Sequence, residues 1–199
     1  MTPRYTDLQL DALREVANIA SGTAATALSQ MLGREVEISV PRAQALPMAD
    51  AVDACGPADA LVDGVVIPLE GDVGGAVVLL IPVAHSDRLC QLLSVDPNSE
   101  VGRSAVCEIG NIVGTSYLNG LSATLGLRLE PSPPGLVRDM LGAIVASLLA
   151  QTAGGAEAAL VLDSELDVAS EPCDLSFLLL PTSGGAADLL APLGLGESR

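Results

Sequence analysis

The sequence predicts an α+β fold: a duplicated domain with pseudo-twofold symmetry, in which two long helices cover a largely antiparallel sheet. Three observations lead there. The run from Thr6 to Leu32 has helical periodicity, and much of it returns later in the chain, with Glu108 and Asn111 standing 93 residues after Glu15 and Asn18 (108 − 15 = 111 − 18 = 93). Apolar, β-branched runs come in pairs joined by turn-forming residues, which reads as hairpins and therefore as antiparallel pairing. Finally, both halves keep one order: long helix, strand, variable piece, hairpin, short helix.

In the first half, Thr6 is placed to cap a helix that runs to Met31 or Leu32 and stops at Gly33. Leu13, Val16, Ala20, Ala24, Ala27 and Met31 form its apolar side. Glu35–Val40 alternates polar and apolar, so a half-buried strand is expected, ended by Pro41. Ala43–Pro57 reads as a loop with a short helix in it. Ala60–Leu69 and Gly74–Ile81 make a hairpin about a turn at Glu70-Gly71-Asp72, and Ser86 starts a short helix through Leu93. The glycines of residues 71–75 are read as that turn rather than as a nucleotide loop, because no long helix follows them.

The second half repeats the scheme. A helix from about Ser99 to Leu125 ends at Gly126, Leu127–Glu130 is the matching strand, and Pro134 stands where Pro41 stood. Met140–Ala150 is expected to be a helix packed on both sides. Ala158–Val168 and Cys173–Leu180 form the second hairpin, followed by a short helix near Gly185–Leu190. Residues 1–199 are therefore expected to be one domain of two pseudo-repeats, about 6–95 and 99–192, since each half alone has little apolar surface to bury.

Composition narrows the function. Tyr5, Tyr117 and Phe177 are the only aromatic residues, so the core must be aliphatic. The net charge is −16, and all nine basic residues are Arg. That balance argues against nucleic acid and against anionic membrane surfaces as partners. Cys55, Cys90, Cys107 and Cys173 have no Cys-x-x-Cys spacing, and His85 is the single histidine, so a Cys/His metal site is not expected. The start of the chain lacks a signal-peptide pattern and the apolar runs are too short to span a bilayer, which leads us to expect a cytoplasmic protein.

The chemistry must come from the duplicated stripe. On a helix, Asp11, Glu15, Asn18 and Gly22 fall within about 60° of one another, opposite the apolar side. The second copy has Ser104, Glu108, Asn111 and Thr115 at these places, with Val106, Ile109, Val113 and Tyr117 on its buried side. A single Glu-x-x-Asn reads as a solvated helix face. Two copies, each with a mediocre helix former in mid-helix, ask for another reason. Gly22 also costs about 1 kcal/mol of helix stability, and its use would be to let another backbone approach. No His or Lys base and no Ser–His pair accompanies the stripe. An amide cannot abstract a proton, but it can orient a water for attack on a phosphoryl group, while the acid grips a cation beside it. A metal site built from Asp11 and Glu15 would need more ligands than the stripe offers.

Asp11-x-x-x-Glu15-x-x-Asn18-x-x-x-Gly22, the following Ala24-Ala25-Thr26-Ala27-Leu28-Ser29, and the second Glu108-x-x-Asn111 resemble the CheC/CheX/FliY family of chemotaxis phosphatases. The resemblance covers residues 6–190, and the two motif copies in a chain of this length look most like the CheC type. It implies hydrolysis of the aspartyl-phosphate on the response regulator CheY. Asn18 and Asn111 would position water and Glu15 and Glu108 would pair with a receiver lysine. The protein would carry no cofactor of its own, Mg²⁺ being bound by the receiver. The family also implies binding to CheD, the receptor deamidase, and a non-catalytic module binding CheD or a receiver is the competing expectation. Thr115 departs from the motif's glycine.

Overall fold

Two long helices, α1 (Asp7–Leu32) and α4 (Glu100–Leu125), lie on one face of a seven-stranded antiparallel sheet. This computed structural model describes residues 7–151, 158–168 and 171–182; the expected cap at Thr6 and the expected helix near Gly185–Leu190 lie outside them. Between the long helices come β1 (Val36–Pro47), α2 (Met48–Cys55), β2 (Leu61–Gly71), β3 (Gly75–Pro82) and α3 (Val83–Leu92). After α4 follow β4 (Leu129–Pro131), β5 (Gly135–Met140), α5 (Leu141–Gln151), β6 (Ala158–Val168) and β7 (Glu171–Pro181).

The long helices end where their sequence chemistry requires. Ser99 accepts the Gly102 N–H at 3.0 Å, and Gly126 takes the left-handed conformation at φ +66° that closes α4. Gly33 does the same after α1 at φ +64°. The hairpin turn also needs glycine: Gly71 sits at φ +111°, and a Cβ there would lie 2.2 Å from the Arg128 carbonyl oxygen.

The strand order is β1-β6-β7-β3-β2-β4, with β5 also on β2. The halves thus exchange strands. β1 of the first half pairs with β6 of the second, while β4 and β5 of the second pair with β2 of the first. The two hairpins meet at the centre, where β3 pairs with β7 from Gly75↔Pro181 to Leu80↔Ser176. One continuous sheet results.

Alternation along the strands divides the core. Val77, Leu79 and Ile81 face the long helices together with Leu162, Phe177 and Leu179, against Leu13, Ala20, Ala24, Val106, Ile109, Val113 and Tyr117. Val78, Leu80, Val161, Leu178 and Leu180 face the other way, where Ala51 of α2 and Leu141, Ile144 and Val145 of α5 cover them. The second face therefore carries short helices. Ala146, Ser147 and Ala150 of α5 are exposed, which corrects the expectation of a helix packed on both sides.

Pro41 does not end its strand. The β1–β6 register shifts between Ser39↔Glu165 and Arg42↔Asp163, so Val40 and Pro41 together oppose Ser164 in a β-bulge, and the strand continues to Pro47. The second half repeats the irregularity more strongly. Pro133 and Pro134, 93 residues after Val40 and Pro41, fall in the break between β4 and β5. Ser86 likewise lies inside α3 rather than capping it; its hydroxyl bonds the Asp63 carboxylate and the Val83 carbonyl. Among the described residues no helix is long and apolar enough to cross a membrane.

Candidate functional site

Every residue of the predicted stripes lies on α1 or α4, pointing away from the sheet or to the rim of the covered face. Asp11, Glu15, Asn18 and Gly22 are exposed on α1; Ser104 and Glu108 are exposed on α4, and Asn111 and Thr115 are half-buried. The cause is the amphipathic period: Leu13, Val16, Ala17 and Ala20 on α1, and Val106, Ile109, Gly110 and Val113 on α4, are all buried. Glycine lets α4 sit close to the sheet and to α1. A Cβ at Gly110 would lie 2.5 Å from Val65 Cγ2, one at Gly114 2.5 Å from Ile67 Cδ1, and one at Gly120 2.6 Å from Ala20 Cβ.

The two Glu residues are unpaired: neither Glu15 nor Glu108 is in an ion pair or hydrogen bond among the described residues. Asp11 does have a partner, Arg14 one turn on at 3.2 Å, with both side chains exposed and the pair worth little to stability. Gly22 faces open space, with no atom within 4 Å of a Cβ built on it. No packing within the described chain therefore explains a glycine there. At the equivalent place Thr115 turns its hydroxyl back to the Asn111 carbonyl at 2.6 Å.

The two Asn residues differ. The Val40 N–H donates to Asn18 Oδ1 at 2.9 Å, and Asn18 Nδ2 donates to the Val40 carbonyl at 3.4 Å. Asn18 thus takes up the backbone groups that the bulge leaves out of the β1–β6 ladder. Ser21, buried one turn on, donates to the Asn18 and Ile38 carbonyls at 2.7 Å and 3.0 Å. Asn111 makes no side-chain hydrogen bond among the described residues.

Sequence reasoning missed one polar cluster. Asp63 on β2, fully buried, accepts from Ser86 and, in a fork, from Arg138 on β5; Arg138 also reaches Asp87 at 3.3 Å. Asp63 stands 23 residues from Ser86 and 75 from Arg138, so no local pattern marks the cluster. It joins β2 and β5 to α3 and includes none of the stripe residues. Burial pushes the Cys90, Cys107 and Cys173 thiols up and the Cys55 thiol up to about 11, which favours the protonated form over the nucleophilic thiolate. Among the described residues no three His, Cys, Asp or Glu side chains converge as metal ligands would.

The arrangement offers, twice over, a free carboxylate and an amide one turn apart on a solvent-facing helix. Comparison with known proteins finds the same two places. A model of the CheC-like family matches residues 8–43 and 101–138, segments that begin 93 residues apart (101 − 8 = 93). The chain is 32% identical over 196 residues to the CheY-P phosphatase CheC of Bacillus subtilis, covering 94% of each. It is 27% identical over 135 residues to the flagellar motor switch phosphatase FliY of the same organism, covering 64% of this chain and 35% of FliY. In three dimensions it resembles the crystal structure of Thermotoga maritima FliY, with a TM-score of 0.76, 21% identity and coverage of 97% and 99% of the two chains.

Proposed function

The chain belongs to the CheC-like family, and from that membership we propose that it hydrolyses the aspartyl-phosphate of a CheY-type response regulator. The observation that carries the proposal is the duplicated pair of Glu15 with Asn18 and Glu108 with Asn111, both on the outer faces of α1 and α4 with their carboxylates unpaired. An unpaired carboxylate suits a cation supplied by a partner, here a lysine of the receiver, and the amide one turn away holds the attacking water in line with the phosphorus. Water oxygen bonds to phosphorus as the bond to the aspartyl oxygen breaks. The receiver regains its carboxylate and inorganic phosphate leaves. The Mg²⁺ that offsets the phosphoryl charge belongs to the receiver, and no cofactor of this chain enters the step. CheD is proposed as a second partner, and the cytoplasm as the site of action, because both follow from the same family reading.

The strand exchange supports treating residues 1–199 as one domain of two pseudo-repeats, about 6–95 and 99–192. Either half alone would leave the edge of its hairpin uncovered.

The test is the decay of phosphorylated CheY with and without catalytic amounts of protein, alongside Asn18→Ala, Asn111→Ala and the double variant. Acceleration lost in the double variant is the expected result. Binding to CheY or CheD with no acceleration by the natural protein would sink the enzyme reading and leave an adaptor.

A further inference from the structure

We infer that the two stripes are unequal: the Val40 backbone holds the Asn18 carboxamide against β1, and the Glu108–Asn111 pair carries most of the turnover. The inference rests on the proposed phosphatase reading and adds which site works, and why. At Asn18 one lone pair of Oδ1 and one N–H of Nδ2 are already committed to Val40. To reach a phosphoryl group on another protein, the amide must give up these bonds or work with what is left. In the second half the residue 93 positions after Val40 is Pro133, which has no N–H to donate. Asn111 accordingly has no side-chain hydrogen bond among the described residues.

A second difference points the same way. Ser21, whose hydroxyl ties α1 to the Ile38 carbonyl, is matched in α4 by Gly114, where Ile67 Cδ1 leaves no room for a side chain. So α1 is fastened to β1 at two adjacent places and α4 is fastened at neither of the equivalents. The bulge itself is common to both halves, since the β2 register shifts by one between Leu69↔Pro131 and Val66↔Gly135 just as β1–β6 does. What differs at the bulge itself is one N–H, present at Val40 and absent at Pro133. Val40 is thus a positioning residue, acting on the reaction through Asn18.

The substitutions that exchange this feature are Val40→Pro, which removes the donor at the first stripe, and Pro133→Val, which supplies one at the second. Turnover of phosphorylated CheY at saturating substrate would be measured in five proteins: Asn18→Ala, Asn111→Ala, both together, Val40→Pro with Asn111→Ala, and Pro133→Val with Asn18→Ala. Asn111→Ala is expected to lower kcat about fivefold to tenfold, and Asn18→Ala less than twofold. Freeing Asn18 by Val40→Pro should raise the residual kcat of Asn111→Ala severalfold, up to the roughly tenfold scale of one hydrogen bond. Pro133→Val should lower that of Asn18→Ala by a similar factor, with KM unchanged in both. Because Val40 is buried and its replacement could unfold the chain, Pro133→Val at the exposed position decides the matter if circular dichroism shows Val40→Pro to be unfolded. Equal losses from the two single Asn variants would overturn the inference. So would a folded Val40→Pro protein with less activity, which would mean that Val40 pre-organises Asn18 rather than restraining it. Activity surviving in the double Asn variant would instead overturn the phosphatase site itself.

Discussion

Arg138 grips Asp63 across β5 and β2, Nε donating to Oδ1 at 2.8 Å and Nη2 to Oδ2 at 2.7 Å. The Asp63 side chain is 1% exposed and that of Arg138 28%. Arg138→Ala would leave a buried carboxylate without its cation, at a cost of about 3 kcal/mol or somewhat more. The other half shows how to relieve this. Ala45 and Leu160 pair across β1 and β6 where Arg138 and Asp63 pair here (138 − 45 = 93), and they are apolar. Asp63→Leu with Arg138→Ala is therefore expected to unfold at a higher urea concentration than Arg138→Ala alone. A double variant as weak as the single one would show that the pair does more than neutralise itself.

Glycines at three places on the long helices should respond oppositely to alanine. At Gly110 the new Cβ would meet Val65 at 2.5 Å, inside the core, and about 1–3 kcal/mol of overpacking is expected. Gly114→Ala, against Ile67, should behave alike. At Gly22 the Cβ meets nothing, so Gly22→Ala should gain up to about 1 kcal/mol in helix propensity. If the open space over Gly22 is where a receiver's backbone approaches, the same variant should bind phosphorylated CheY less tightly. Thermal melts and binding titrations on one preparation would read both. A stabilised variant with unchanged binding would remove Gly22 from the contact surface.

Residues that act through their neighbours in sequence are legible in the chain itself. Ser99 and Gly126 bound α4 as their chemistry predicts, the 93-residue repeat places both stripes, and the hairpins fall within a residue or two of the expected spans. The bulge is not legible, because proline usually ends a strand, and only the Asn18 side chain arriving from α1 satisfies the Val40 groups that it strands. β5 escapes the sequence pattern for a related reason. It is a short outer strand, half-exposed and preceded by two prolines, and its pairing with β2 depends on chain 69 to 79 residues away (135 − 66 = 69; 140 − 61 = 79). Nor does a sequence show that Asp63 is buried beside Arg138.

Asp163 gives a pH dependence with a definite sign. Burial of its side chain on β6 raises its pKa above the ordinary carboxylate value, and Arg42, its register partner on β1, offsets only part of this. A folded-state pKa above the unfolded one makes the protonated form the stabilised one. The contribution is present below the unfolded pKa and is lost as pH rises through the raised value. At neutral pH the charged Asp163 therefore weighs against the fold. Asp163→Asn is expected to melt higher than the natural protein at pH 7 and to lose that advantage by pH 4. An advantage that grows on acidification would contradict the sign.

Tyr117 gives the opposite end of the pH scale. Its ring is fully buried edge-to-face against Phe177, with centroids 5.2 Å apart, and its hydroxyl shares a 2.9 Å hydrogen bond with Ser164 opposite the bulge. Burial pushes the phenol from 10.0 up to about 12, with the Ser164 bond opposing the shift. Because the folded pKa lies above the unfolded one, the contribution is complete below pH 10 and is lost as pH rises through about 12. Tyr117→Phe lacks that loss but leaves the Ser164 hydroxyl without its partner, at about 1 kcal/mol. At pH 7 the variant should therefore unfold at lower urea than the natural protein. By pH 11 the unfolded natural chain gains about 1.4 kcal/mol from ionising this tyrosine, which the variant does not share, and the difference should vanish or reverse. A constant difference across that range would mean that the phenol ionises in the folded state as readily as in the unfolded chain, and that the hydroxyl is reached by water.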